Sequence, residues 1–138
     1  MYLLDTNVVS ELRKVKSGKA DEHVEAWSLT VSPKQLYLSV IVIHEIELGI
    51  LMAERSDFTK GRVLRKWMNE YVLPAFDGRI LSVDQQIALV SAGYHVPDPK
   101  PYRDTLIVAT ALVHGMTVVT RNTHDFCLTG VKKINPWR

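Results

Sequence analysis

The sequence predicts an α/β domain whose central, mostly parallel sheet of four to five strands is flanked by helices on both faces. Short apolar runs alternate with longer segments of helical periodicity. The short runs are apolar at nearly every position, as in strands buried on both sides, and polar turn residues sit directly behind them.

The elements follow in order. Tyr2-Leu3-Leu4 is a short strand ended by Asp5-Thr6-Asn7, and Val8 to Arg13 forms a helix capped by Thr6 or Asn7. A second helix spans Ala20 to Leu29 with Asp21 near its start, and it cannot pass Ser32-Pro33 because proline disfavours helix in the residue before it. Leu36-Tyr37-Leu38-Ser39 is a buried strand leading into a helix from about Val42 to Arg55, on which Ile43, Ile46, Ile50 and Ala53 share one face. The next helix, about Asp57 to Tyr71, offers Val63, Leu64, Trp67 and Tyr71 and stops near Pro74. Arg79 to Val83 is a strand, and Asp84 caps a helix through about Ala92. Three prolines within Pro97-Asp98-Pro99-Lys100-Pro101 exclude regular structure there. Asp104 to His114 is an apolar helix closed by Gly115, and Met116 to Thr120 a short β-branched strand.

At 138 residues the chain fits a single domain over 1–138, and 46% hydrophobic with 23% charged residues places it in the globular range. Lys and Arg number 17 against 15 Asp and Glu, a net charge of +2 that neither demands nor forbids a polyanionic partner. Cys127 is the single cysteine, so no internal disulfide forms, and the most apolar stretch, Leu36 to Ala53, is broken by His44, Glu45 and Glu47. A soluble, cytoplasmic protein is expected.

In open α/β sheets ligands bind beyond the carboxyl ends of the strands, so the acids behind strands come first. Asp5 ends the first strand, Glu45 lies one turn into the helix after the Leu36 strand, Asp104 opens the helix before the Met116 strand, and Asp125 follows that strand. Singly, each has an ordinary explanation as a turn, cap or solvated charge. Together they would need a cation, since two carboxylates ~6 Å apart repel by roughly 3 kcal/mol at an effective dielectric of about 20. An oxygen-only set suits Mg²⁺ or Mn²⁺, and phosphodiester hydrolysis is the reaction such ions serve. Glu45 and Glu47 point about 200° apart on their helix, so only one faces a given site, and periodicity does not choose between them.

Other motifs carry less. His44-Glu45 opens like a His-Glu-x-x-His zinc site, but Leu48 stands where the second histidine belongs. His23, His95, His114 and His124 fall at no ligand spacing, and the glycines form no phosphate loop. Cys127 has no evident base to make it a nucleophile and is expected to be a small, partly buried residue. Arg55, Lys60, Arg62, Arg65 and Lys66 cluster around one helix, either as part of a rim that binds a polyanion or as a solvated face. Trp27, Trp67 and Trp137 are expected in the core or an interface.

The chain resembles the PIN-domain ribonucleases, specifically the VapC and FitB-like toxins of bacterial toxin–antitoxin pairs. The resemblance runs through Leu4-Asp5-Thr6-Asn7, Leu38-Ser39-Val40 with Glu45-Ile46-Glu47-Leu48-Gly49, Arg103-Asp104-Thr105-Leu106-Ile107-Val108-Ala109-Thr110-Ala111, Val119-Thr120-Arg121-Asn122 with Asp125-Phe126, and Gly130-Val131 to Ile134-Asn135-Pro136-Trp137. It departs at Thr105, where alanine is more usual. The resemblance implies an endoribonuclease dependent on Mg²⁺ or Mn²⁺, with Asp5, Glu45 rather than Glu47, and Asp104 holding metal and Asp125 completing the site. Asn7, Thr120, Arg121 and Asn122 would be the neighbouring polar groups that orient water or phosphate. It further implies a homodimer, an RNA substrate, and an inhibitory antitoxin, commonly a small dimeric DNA-binding protein whose tail covers the acidic pocket and through which alone operator DNA is reached. Two other classes compete: a receiver-like signalling domain, which would need an acidic pair where Asp5 stands alone before Thr6, and a catalytically silent partner-binding relative, which the retention of all four acids disfavours.

Overall fold

The computed structural model describes residues 1–126 and 130–138, and of Asp125 the backbone only. Five strands, β1 (Tyr2–Leu4), β2 (Leu36–Ser39), β3 (Ile80–Leu81), β4 (Thr117–Val119) and β5 (Lys133–Ile134), form one sheet in the order β3-β2-β1-β4-β5. Every pairing is parallel, with Tyr2 opposite both Leu36 and Thr117, Leu38 opposite Ile80, and Val118 opposite Lys133. The predicted strand at Arg79–Val83 shortens to two residues, and the fifth strand is the C-terminal Lys133–Ile134 pair.

The order explains where a site can form. From β1 the chain builds outward through β2 to β3, then returns to add β4 and β5 on the other side of β1. The crevice between the carboxyl ends of β1 and β4 is therefore the point at which the winding direction reverses.

Helix α1 (Thr6–Leu12) begins earlier than expected, because Asp5, not Thr6 or Asn7, is its cap: the Asp5 carboxylate accepts from the Thr6 amide. Asp21 caps α2 (Glu22–Leu29). Ser39 caps α3 (Val40–Ser56), so this helix starts directly at the end of β2. Helix α4 (Phe58–Trp67) runs through a π turn at Met68–Val72 into the short α5 (Leu73–Ala75). Asp84 caps α6 (Gln85–Gly93), and α7 (Tyr102–His114) ends at Gly115 in the left-handed conformation, as predicted.

The core lies on both sheet faces: Leu3, Leu4, Leu38, Val118 and Val119 are buried beneath Val42, Ile46 and Ile50 of α3 and Ile107 and Val108 of α7. On the Asp57–Tyr71 segment the expected face is displaced. Val63 is exposed on the regular part of the helix, and beyond it Tyr71 is exposed while Met68 and Val72 are buried, because the π turn adds a residue and rotates the side chains that follow. The three tryptophans pack at the margin of the core, Trp27 edge-on to Tyr2 at 5.6 Å between ring centroids. No helix among the described residues is long and apolar enough to cross a membrane.

Helices α3 and α4 form a tight hairpin. Gly61 faces the α3 backbone so closely that a Cβ there would stand 2.5 Å from Glu54 Cα. Beside it, the Arg65 guanidinium binds both carboxylate oxygens of Glu47, at 2.6 and 2.9 Å, and also reaches Glu54 at 3.0 Å. Arg65 thus belongs to this seam rather than to a free basic rim. Arg62 lies over the Phe58 ring, and Lys66 is 3.9 Å from Glu70.

Candidate acidic site

Asp5 stands at the reversal point of the sheet, almost fully buried. Its backbone amide continues the β1–β4 ladder by donating to the Val119 carbonyl, and its side chain is held from three directions. Oδ1 accepts from the Thr6 amide at 2.8 Å, and Oδ2 accepts from the Thr120 hydroxyl at 2.8 Å and from Asn7 Nδ2 at 3.5 Å. These three donors fix the orientation of the carboxylate.

Thr120, fully buried at the end of β4, also accepts from the Asn122 amide at 3.0 Å. The Arg121 amide donates to Asn7 Oδ1 at 3.3 Å. Asn7, Thr120, Arg121 and Asn122, singled out from the sequence, therefore come together around Asp5. Two residues named as carriers of the resemblance but not as site residues extend the cluster: Asn135 donates to the Arg121 carbonyl, and the Trp137 ring lies 5.2 Å from the Arg121 guanidinium. They sit on the chain end that follows β5, and no spacing in the sequence connects them to β4.

Glu45 projects from α3 into the same region. Burial holds its carboxyl above the ordinary range, the Arg103 guanidinium pulls it back down, and the neighbouring Asp5 charge raises it further. The Thr6 hydroxyl and His44 also lower it, by smaller amounts. The Thr6 hydroxyl is itself buried with no partner at full hydrogen-bond distance among the described residues. Glu45 Oε2 accepts from Arg103 at 2.8 Å, which ties α3 to the first turn of α7, where Asp104 is the next residue.

Glu47 has the opposite surroundings. Its carboxyl is lowered, mainly by the hydrogen bonds from Arg65 in the α3–α4 seam. Periodicity left the two glutamates open, and in the structure Glu45 faces Asp5 whereas Glu47 does not.

Thr105, the departure from the usual motif, is a fully buried junction. Its hydroxyl donates to the Tyr102 carbonyl at 2.9 Å and accepts from Ser91 of α6 at 3.0 Å. His95 Nε2 lies 3.0 Å from the same oxygen, while His95 Nδ1 accepts from the Lys100 amide. With Nδ1 accepting, Nε2 carries the proton and donates to Thr105. The first turn of α7, and with it Asp104, is anchored to α6 and to the proline loop through this network.

The Asp125 side chain and Cys127 lie outside the described residues. Among those described, no three Asp, Glu, His or Cys side chains stand together as a ready cage for one ion. The donor chemistry fits a hard divalent cation nonetheless. The Asp5 charge acts on the Glu45 carboxyl, and the buried Thr6 hydroxyl lies beside them. Ions of this kind take few protein ligands and retain several waters.

Comparison with known proteins agrees with this architecture. Residues 2–131 match the PIN domain. The toxin FitB of Neisseria gonorrhoeae is 36% identical over 142 residues, covering 99% of each chain. The solved structure of FitAcB from that organism matches with a TM-score of 0.87 at 34% identity, over 100% of this chain and 99% of that one. The VapC ribonuclease Y4jK of Sinorhizobium fredii is 34% identical over 142 residues, covering 99% of this chain and 98% of the relative. A toxin–antitoxin complex from Klebsiella pneumoniae matches with a TM-score of 0.67 at 25% identity, over 99% and 98% of the two chains. The parallel sheet in the order β3-β2-β1-β4-β5, the acid at its reversal point and the end-to-end match lead to one assignment: the chain belongs to the PIN-domain family.

Proposed function

We propose that this chain is a divalent-metal-dependent endoribonuclease and the toxin half of a bacterial toxin–antitoxin pair. The observation that carries the reading is the pairing of Asp5, fixed by Thr120 at the end of β1, with a half-buried Glu45 whose ionisation Asp5 opposes. Two adjacent carboxylates kept in place against their own repulsion call for a cation. The names of the relatives, a toxin in one case and a ribonuclease in another, agree with it.

Asp5, Glu45 and Asp104 are the residues that would hold Mg²⁺ or Mn²⁺, with Asp125 completing the set. Bound there, the ion would acidify a water and neutralise charge growing on the scissile phosphate. The chain's own groups do the positioning. Thr120 and Asn7 aim the Asp5 carboxylate, the Thr105 junction holds the turn that carries Asp104, and Asn122 and Arg121 line the approach beside Thr120. Hydrolysis on this reading leaves 5′-phosphate and 3′-hydroxyl ends. The protein acts as a homodimer in the cytoplasm, and a cognate antitoxin, a small dimeric DNA-binding protein whose tail lies over the acidic site, inhibits it and alone brings it to operator DNA.

Purified, partner-free protein incubated with end-labelled total RNA tests this. Discrete cuts are expected with Mg²⁺ or Mn²⁺, and none with EDTA or in Asp104→Asn. Cutting that survives EDTA or the substitution would refute it.

A further inference from the structure

Arg103 occupies an unusual place. It immediately precedes Asp104 in the first turn of α7, and its Nη1 donates to Glu45 Oε2 at 2.8 Å. Its side chain is 60% exposed, against 19% for Glu45. No other acceptor among the described residues engages its guanidinium, so most of its five donors face solvent at the mouth of the site. By contrast Arg65, the other arginine paired with a glutamate of α3, is held by two carboxylates in the α3–α4 seam.

The contact has a consequence for the site, because Glu45 is the less exposed partner and the guanidinium resting on its Oε2 is a cation already in place there. A divalent cation that takes Glu45 Oε2 competes with the guanidinium for the same oxygen, and the two positive charges repel. The guanidinium, once freed, presents a planar fork that matches phosphate geometry.

We propose that Arg103 is an internal counter-ion of Glu45 that a divalent cation must displace, and that the freed guanidinium then binds a phosphate of the RNA. This rests on the metal-dependent nuclease reading above, and it makes Arg103 a substrate-binding residue that links cation binding to RNA binding.

The test is a titration of the full chain with Mn²⁺, following free Mn²⁺ by electron paramagnetic resonance. Arg103→Gln is expected to bind Mn²⁺ about two- to fivefold more tightly than the parent, the range set by loss of one partly exposed ion pair. In the Glu45→Gln background the same substitution is expected to give no gain. Fluorescence anisotropy with a labelled single-stranded RNA, in an Asp104→Asn background that does not cut and at Mn²⁺ concentrations that the same titration shows to fill its site, reads the second half. Arg103→Gln should weaken RNA binding several-fold and lower the salt slope by about one. Unchanged or weaker Mn²⁺ affinity in Arg103→Gln would overturn the counter-ion role, and unchanged RNA affinity the phosphate role. Mn²⁺ binding indifferent to Asp5→Asn and Glu45→Gln would instead sink the metal-site reading itself and this inference with it.

Discussion

The Thr120 hydroxyl donates to Asp5 Oδ2 at 2.8 Å across 115 positions of sequence. This bond joins the ends of two neighbouring strands, and it spends the one hydroxyl proton of a fully buried residue on the orientation of a carboxylate. Thr120→Val keeps the shape and removes the donor, leaving Asp5 Oδ2 short of a partner. A loss of about 1–3 kcal/mol in urea unfolding is expected, together with reduced RNA cleavage, whereas Thr120→Ser should retain most of both. Parent-like cleavage by the valine variant would show that Asp5 does not depend on this bond.

Glu45 and Glu47 provide the sharpest functional contrast. Glu45→Gln is expected to reduce metal-dependent cleavage by more than the ~10–100-fold typical for loss of an outer-shell partner. Glu47→Gln should leave cleavage near the parent rate and lower the melting temperature, since Glu47 serves the Arg65 seam. Rate assays on both proteins, with thermal melts alongside, decide the matter.

The same two residues should titrate in opposite directions. Glu45 has a raised carboxyl, so between its ordinary value of 4.5 and its folded value the native state binds more protons than the unfolded one. Stability then falls as pH rises through that window, and the cost persists at neutral pH. Glu47 is lowered from 4.5, so the stability it contributes is present above 4.5 and is lost as pH falls through its folded value. Glu45→Gln is accordingly expected to melt higher than the parent at pH 7 in the absence of divalent cation, with the difference closing toward pH 4. Carboxyl chemical-shift titration should find Glu45 above and Glu47 below the usual range.

Thr105→Ala would convert the third-acid motif to its more usual form, but in this chain it strips Ser91 and His95 of their shared oxygen. A loss of about 1–3 kcal/mol is expected, because buried donors are left unpaired. Replacing Ser91 by Ala as well should recover part of it, since removing both partners is less costly than removing one. Equal stability of the single and double variants in denaturant titrations would argue against the junction.

Much of the architecture was legible because it depends on local rules. The strand Leu36–Ser39, the proline loop, the Asp84 cap and the Gly115 stop each follow from a few adjacent residues. The start of α1 was not legible to the residue, because Asp5, Thr6 and Asn7 are all competent caps and only the bond to the Thr6 amide distinguishes them. The displaced face of the Asp57–Tyr71 helix was hidden for a related reason: a π turn changes the period on which a pattern argument depends.

By itself the sequence determined an α/β sheet with acids behind its strands, together with motifs specific enough to indicate a nuclease family. Such features arise from short-range sterics, periodicity and residue type, which operate along the chain. The motifs already implied Glu45 in place of Glu47; the tertiary structure alone decided the contacts, Glu45 towards Asp5, Glu47 within the hairpin seam, Thr120 on Asp5 and Arg103 on Glu45. Those are contacts between segments 18 to 115 positions apart. Only the folding of strands and helices into one sheet-centred core brings such groups within the few ångströms at which hydrogen bonds and charges act.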